Sequence, residues 1–259
     1  MKPSAVICIL LLLLCLTIPA QAEEYDPWAP KEIFLFGMPY LGSSVSERNK
    51  GLIPEVLKAV YEPIGIEFRH RELPYVRAIE ELKLGDIHCS LDVKARNRGF
   101  AQGKYILGTY KMTVAYLRKT GFKGLASLNG QRVAYLHGFG IKEMLKLDFT
   151  PQQIFDLSSG FHMLDRNTVG YFIGDYRLLH EALEDSKLPS VEFEFTTIKA
   201  LPVCPIFANT DEGKRYREIY DRRMAKIIKN GDLDFYLRKA GIEEERIRAI
   251  HELNAPSTK

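Results

Sequence analysis

From residue 33 onward, the chain alternates short apolar stretches with amphipathic ones. The predicted strands of this first part are 33–36, 66–69 and 87–93, and the predicted helices are 51–61 and a segment from Pro74 to just before Gly85. A strand–helix–strand–helix–strand order predicts a parallel sheet and an α/β fold.

A second α/β unit follows the first. Its predicted strands are 111–118, 132–136 and 169–173, and its predicted helices begin at Ile141 and span 176–184. Near the end of the chain, 202–208 is predicted as a strand that returns the chain, and 214–229 as a long helix. The run 111–118 is extended without a clear helix before it, so the alternation changes at this point. The pattern therefore predicts two α/β units in one chain.

The first residues have the pattern of a cleavable export signal. Lys2 supplies a positive charge, and 5–16 is an apolar run shorter than the roughly 20 residues that span a membrane. Ala20-Gln21-Ala22 matches a small-x-small cleavage site. We predict a signal peptide over residues 1–22 and a periplasmic location for the remainder.

Size, charge and cysteine content narrow the class of protein. The chain has 259 residues, and without its signal it approaches the roughly 250–300 residues at which single cores stop growing, so we expect one large lobe or two small ones. A formal net charge of +3 at pH 7 argues against nucleic acid or an anionic membrane as partner. Cys89 and Cys204 are far apart in the sequence, and the periplasm permits a disulfide between them without requiring one.

The sequence gives little support for catalysis or metal binding. It lacks Gly-x-Ser-x-Gly, His-Glu-x-x-His and Cys-x-x-Cys motifs, and its histidines show no metal-ligand spacing. We predict no catalytic residue, no metal and no cofactor.

Several short motifs resemble those of the family 3 extracellular solute-binding proteins, which have the type II periplasmic binding protein fold. In chain order they are Pro74-Tyr75-Val76-Arg77 before Gly85-Asp86, Lys94-Ala95-Arg96 before Phe100, Asn129-Gly130-Gln131-Arg132-Val133-Ala134 before Gly138, and Asn230-Gly231-Asp232-Leu233. Their order along nearly the whole mature chain is the specific part of the resemblance.

The resemblance implies a first lobe made of 23–110 and 205–259, with a second lobe, 111–204, inserted into it. A small polar ligand, an amino acid or a relative of one, would bind in the cleft where strand ends and helix N-termini converge. It implies a monomer that closes around this ligand and delivers it to a membrane permease.

Arg96 and Asp175 are the leading candidates for ligand contacts. The planar guanidinium of Arg96 suits a carboxylate, and in the amino-acid-binding relatives an arginine at this turn has that role. Arg98 is the competing register, and a solvated Arg96 is the plain alternative. The family pairs an aspartate at the position of Asp175 with the ligand ammonium, and a helix N-cap is the alternative.

Further candidates lie in loops on the predicted cleft side. The amides of Gly138-Phe139-Gly140 precede a helix and could face an anion, whereas the pattern disfavours a dinucleotide site because Glu143 replaces the third glycine. A plain glycine turn is equally compatible. Tyr40 and Tyr75 could stack on a ligand or simply pack, and Arg77 could reach the cleft or face solvent.

Two positions depart from the family pattern. Asp92 stands near a position at which the amino-acid binders usually carry a small hydroxyl residue. Gly170 replaces the acidic residue that is common within the strand before Asp175. A carboxylate at Asp92 would partly neutralise Arg96, which favours a more cationic ligand, unless Asp92 lies on the surface beside the basic run.

Two other functions stay open at this point. A sensory protein would use the same cleft and dock on a receptor instead of a permease. A dehydratase resembling the cyclohexadienyl type would need a cleft acid or base, for which Asp92 is the nearest candidate.

Overall fold

The computed structural model describes residues 31–39, 51–94, 96, 99–239 and 241–255. The predicted signal peptide, Tyr40 and Arg98 lie outside these ranges. The strands are β1 (Ile33–Met38), β2 (Glu67–Glu72), β3 (Cys89–Val93), β4 (Ala101–Gln102), β5 (Gly108–Leu117), β6 (Arg132–Leu136), β7 (Thr150–Ile154), β8 (Tyr171–Asp175) and β9 (Phe193–Phe207). The α-helices are α1 (Leu52–Tyr61), α2 (Tyr75–Leu84), α3 (Ile141–Leu145), α4 (Leu157–Asp165), α5 (Tyr176–Ser186), α6 (Asp211–Asn230), α7 (Asp232–Lys239) and α8 (Glu244–Asn254).

The strands form one continuous sheet in the order β2-β1-β3-β9-β5-β8-β6-β7, with β4 also paired to β9. The predicted parallel units are present, because β1 pairs in parallel with β2 and β3, and β6 pairs in parallel with β7 and β8. Strand β9 is antiparallel to both β3 and β5, so it passes from one unit into the other. It begins at Phe193 rather than at the predicted Pro202, because its first part is held by pairing with β5 instead of by an apolar run.

The buried side chains form separate cores for two lobes. The largest cluster combines residues from 34 to 107 with residues from 206 to 250, so the first lobe is discontinuous in sequence. Two further clusters take their buried residues from 93 to 201. In the first core, the ring of Phe34 stacks on Tyr61 (centroids 3.9 Å apart) and meets Tyr216 edge-on at 5.0 Å. The lobe boundaries given above stay a prediction.

Cys89 and Cys204 are buried free thiols, so the disulfide left open by the sequence is not formed. Cys89 pairs across the sheet with Phe207, which is three positions from Cys204, so the two side chains leave the sheet on opposite faces. Burial raises the pKa of the Cys204 thiol to about 11.

Asp156 caps the N-terminus of α4. Its carboxylate accepts hydrogen bonds from the Ser158 hydroxyl (2.7 Å) and the Ser159 backbone N–H (2.9 Å). These hydrogen bonds, that of the Ser158 hydroxyl above all, hold the pKa of Asp156 below its ordinary value.

Replacing Asp156 with alanine is expected to lower the free energy of unfolding by about 1 kcal/mol at neutral pH. The loss shrinks as pH falls through the lowered pKa of the folded state, because the carboxylate is then protonated in both states. Urea unfolding at pH 7 and at acidic pH measures both effects. Asp156→Asn, which keeps a capping oxygen, is the control, and a loss that does not change with pH would contradict the assignment.

Candidate functional site

A cavity of about 460 Å³ lies between the two lobes, within the range of small-molecule sites. It is lined at the carboxyl ends of β1, β3 and β8, at the N-terminal ends of α2 and α5, and along α8. Carboxyl ends of strands are the usual place for ligands in α/β sheets, so the topology and the cavity agree.

Arg96 connects the first lobe to the second. Its Nη2 donates a hydrogen bond to the backbone carbonyl of Phe139 (2.7 Å), and its Nη1 lies 3.7 Å from Asp92 Oδ1. The Asp92 side chain is only 3% exposed, and its Oδ1 also accepts the backbone N–H of Val93. Arg96 therefore lines the cavity rather than facing solvent, and Asp92 is a buried partner of Arg96 rather than a surface residue.

The loop Gly138-Phe139-Gly140 brings the lobes into contact. Both glycines have positive φ (82° and 58°), where residues with a Cβ are strained. A Cβ on Gly138 would overlap Val76 in α2, and a Cβ on Gly140 would overlap the Arg96 guanidinium. The loop meets Arg96 through the Phe139 carbonyl oxygen, and Gly138 and Gly140, whose amides the sequence offered to an anion, do not line the cavity, whereas Phe139 does.

Aromatic rings form one wall of the cavity. The ring of Phe139 lies 5.0 Å from that of Tyr75 and 6.3 Å from that of Tyr110. Tyr75 is buried and belongs to the first lobe, whereas Phe139 belongs to the second, so the aromatic contact also spans the lobes.

Tyr110, a single tyrosine near the start of the long strand β5, was not among the residues selected from the sequence. Its hydroxyl is buried and has no hydrogen-bond partner among the described residues. Burial raises the pKa of Tyr110, the Asp175 carboxylate raises it further, and Arg96 opposes both. Tyr110 lines the same cavity as Arg96 and Asp175, the two charged residues that the sequence favoured.

Asp175 ends β8 and caps the N-terminus of α5 while lining the cavity. Its Oδ1 accepts the backbone N–H of Arg177 (3.1 Å), and its Oδ2 accepts that of Lys111 (3.0 Å). The N-cap alternative is thus present in the structure. The Asp175 carboxylate can still accept further hydrogen bonds, because its two oxygens have more lone pairs than these two bonds use.

Helix α8, which the sequence did not single out, forms another wall. Ile247 and Ile250 belong to the core of the first lobe, and the Asn254 side chain exchanges hydrogen bonds with the backbone of Ile106 (2.7 and 2.9 Å). Arg246, on the same helix, lines the cavity. The helical spacing of Ile247, Ile250 and Leu253 is the signal that could have identified it.

Burial lowers the pKa of Arg246, as does the nearby Arg177, and Asp175 opposes them. Arg246 is therefore close to the second lobe although its helix packs on the first.

Arg77 does not line the cavity, in contrast to its selection from the sequence. Its side chain is 63% exposed and forms an ion pair with Glu81 one helical turn away (2.8 Å). It faces solvent because Tyr75 and Val76 occupy the cavity-facing end of α2.

Two further kinds of feature, metal-binding clusters and membrane-spanning helices, are absent from the described residues. No group of three histidine, cysteine, aspartate or glutamate side chains within them could hold a metal ion. In the same part of the chain, no helix has the length and apolar character needed to cross a membrane.

The comparison with known proteins rests on structure. No family model matches this sequence, and no curated protein sequence matches it. The structure is similar to the substrate-binding protein of an amino acid ABC transporter, with a TM-score of 0.64 and 12% identity over 80% of this chain and 98% of that one. It is also similar to an ancestral arginine-binding protein bound to arginine, with a TM-score of 0.66 and 14% identity over 81% of this chain and 98% of that one.

A third similar structure is a histidine kinase sensor domain with similarity to periplasmic binding proteins. Its TM-score is 0.67, at 15% identity over 81% of this chain and 96% of that one. The chain therefore has the two-lobed type II periplasmic binding protein fold, as the sequence predicted.

Proposed function

We propose that this protein is a periplasmic solute-binding protein that captures a small polar ligand, an amino acid or a relative of one, for transport by a membrane permease. The observation that carries the proposal is the cavity between the lobes, which is lined by Arg96 of the first lobe, Asp175 of the second and Tyr110. Opposite charges beside an apolar wall suit a zwitterion.

The ligand would bind by its two charged ends. Arg96 uses one of its N–H donors on Phe139 and has others for a ligand carboxylate. Asp175 would accept the ligand ammonium, and the rings of Tyr75 and Phe139 would cover the apolar part of the ligand. Because these groups come from both lobes, ligand binding would stabilise the closed arrangement.

A sensory role is the second candidate, because the sensor domain of a histidine kinase shares the fold. A sensor would use the same cavity, and its closed form would dock on a receptor instead of a permease. A neighbouring permease gene favours transport, and a neighbouring kinase gene favours sensing. We propose binding without turnover in both cases, with the monomer as the working form.

Protein that has been unfolded, dialysed and refolded is expected to gain stability from one class of compound in a panel of amino acids, polyamines and small organic acids. A ligand at 100 times its Kd stabilises the folded state by about 2.7 kcal/mol, which raises the Tm of a domain of this size by several degrees. Thermal-shift assays measure the rise. A flat response to the whole panel would contradict the proposed function.

A further inference from the structure

Helix α8 brings a cation to the cavity from outside the predicted site. The helix is fixed to the first lobe by Ile247, Ile250 and Asn254, while Arg246 lies close enough to Asp175 and Arg177 of the second lobe for their charges to act on it. Arg246 is half-buried and lines the cavity, and none of the described carboxylates lies within ion-pair distance of it. A partly buried guanidinium without a counter-ion is costly, so its surroundings favour an added anion.

The Tyr110 hydroxyl independently indicates that the cavity favours a ligand with a hydrogen-bond acceptor. It is a buried hydrogen-bond donor that lines the cavity without a partner among the described residues. An unsatisfied buried hydroxyl destabilises the protein, and a ligand acceptor that binds it would remove this cost. Tyr110 and Arg246 line the same cavity, together with Asp175.

The carboxylates in the interior of the cavity form no ion pair with Arg246 and no hydrogen bond with the Tyr110 hydroxyl among the described residues. Asp92 faces Arg96, and each oxygen of Asp175 accepts a backbone N–H. Glu243 and Glu245 also line the cavity, but both are exposed, and water screens their charge. Arg246 and the Tyr110 hydroxyl therefore have no carboxylate partner among the described residues of the interior, while Asp175 keeps lone pairs for the ligand ammonium.

We infer that the ligand carries a second acidic group, which Arg246 and the Tyr110 hydroxyl bind, so that the cavity selects acidic amino acids over their neutral and basic counterparts. The inference rests on the proposed function, since it assigns the α-carboxylate to Arg96 and the ammonium to Asp175. It makes Arg246 a specificity-determining residue contributed by the C-terminal helix.

The test compares L-glutamate with L-glutamine, and L-aspartate with L-asparagine, by isothermal titration calorimetry on the refolded full mature chain. Wild-type protein is expected to bind at least one acid about tenfold or more tightly than its amide, a margin typical of a charge-assisted hydrogen bond. Arg246→Gln is expected to remove most of this preference by lowering the affinity for the acidic amino acid. Arg248→Gln is the matched control, because Arg248 is an exposed arginine on the same helix that does not line the cavity.

Each other outcome has a distinct meaning. Tighter binding of amides or basic amino acids by the wild type overturns the inference and leaves the proposed function intact. A lack of binding by any amino acid contradicts the proposed function as well. Equal weakening by Arg246→Gln and Arg248→Gln overturns the role of Arg246, and unchanged ligand-free Tm values exclude misfolding as the cause. Tyr110→Phe, which removes only the hydroxyl, is expected to lower the affinity for the acidic amino acid several-fold more than the affinity for its amide.

Discussion

Replacing Arg96 with glutamine is expected to weaken ligand binding by about 100-fold, the largest effect of any single change in the cavity. The variant loses a charge-assisted contact to the ligand carboxylate and the hydrogen bond from Nη2 to the Phe139 carbonyl, which joins the lobes. It also removes the guanidinium beside Asp92, whose side chain is 3% exposed, so the ligand-free protein should lose stability. Calorimetry measures the affinity, and thermal melting measures the stability.

A double variant separates these two roles of Arg96. Asp92→Asn with Arg96→Gln removes both charges, so much of the lost stability is expected to return while ligand binding stays weak. Arg96→Lys keeps a charge near Asp92 but lacks the planar fork, and we expect it to bind the ligand with intermediate affinity. If the double variant recovers full affinity, Arg96 acts only by holding Asp92, and its assignment to the ligand is wrong.

The periodicity of apolar residues was sufficient to predict the parallel units of the fold. The strand 132–136 coincides with β6, and helix 51–61 differs from α1 by one residue, because both carry a strong apolar pattern. The first half of β9 escaped prediction because residues such as Glu194, Thr196 and Lys199 interrupt that pattern. Its extended form depends on pairing with β5, which is a long-range contact that local pattern does not contain.

The candidate site divides in the same way. Arg96 and Asp175 were found through short motifs, each next to the end of a strand, and the structure places both against one cavity. Tyr110 and Arg246 were missed because neither lies in a motif. They line the cavity only because tertiary packing brings β5 and the C-terminal helix α8 next to it. Arg77 differs from these residues, because its motif position next to the cleft left the direction of its side chain open, and the side chain faces solvent.

The contacts between lobes suggest that closure and ligand affinity depend on the same loop. Arg96 reaches the Phe139 carbonyl, and the ring of Phe139 packs near Tyr75, so both contacts converge on the residues between Gly138 and Gly140. A change that keeps this loop away from α2 would lower the population of the closed form. The apparent affinity of a ligand falls in proportion to that population.

Replacing Gly138 with alanine is expected to weaken ligand binding by roughly 30-fold, because the added Cβ overlaps Val76 Cγ2 when the lobes are in contact. Gly138 has a φ of +82°, so alanine also costs about 1 kcal/mol of stability for a left-handed backbone. Gly130→Ala is the matched control, since Gly130 has a φ of +70° and no atom within 4 Å of its added Cβ. Both variants should therefore melt at similar temperatures without ligand, and only Gly138→Ala should lose affinity by calorimetry. Small-angle X-ray scattering should show that the ligand compacts Gly130→Ala but not Gly138→Ala at concentrations that saturate the wild type. Equal affinity in the two variants would mean that the lobes do not need this contact to hold the ligand.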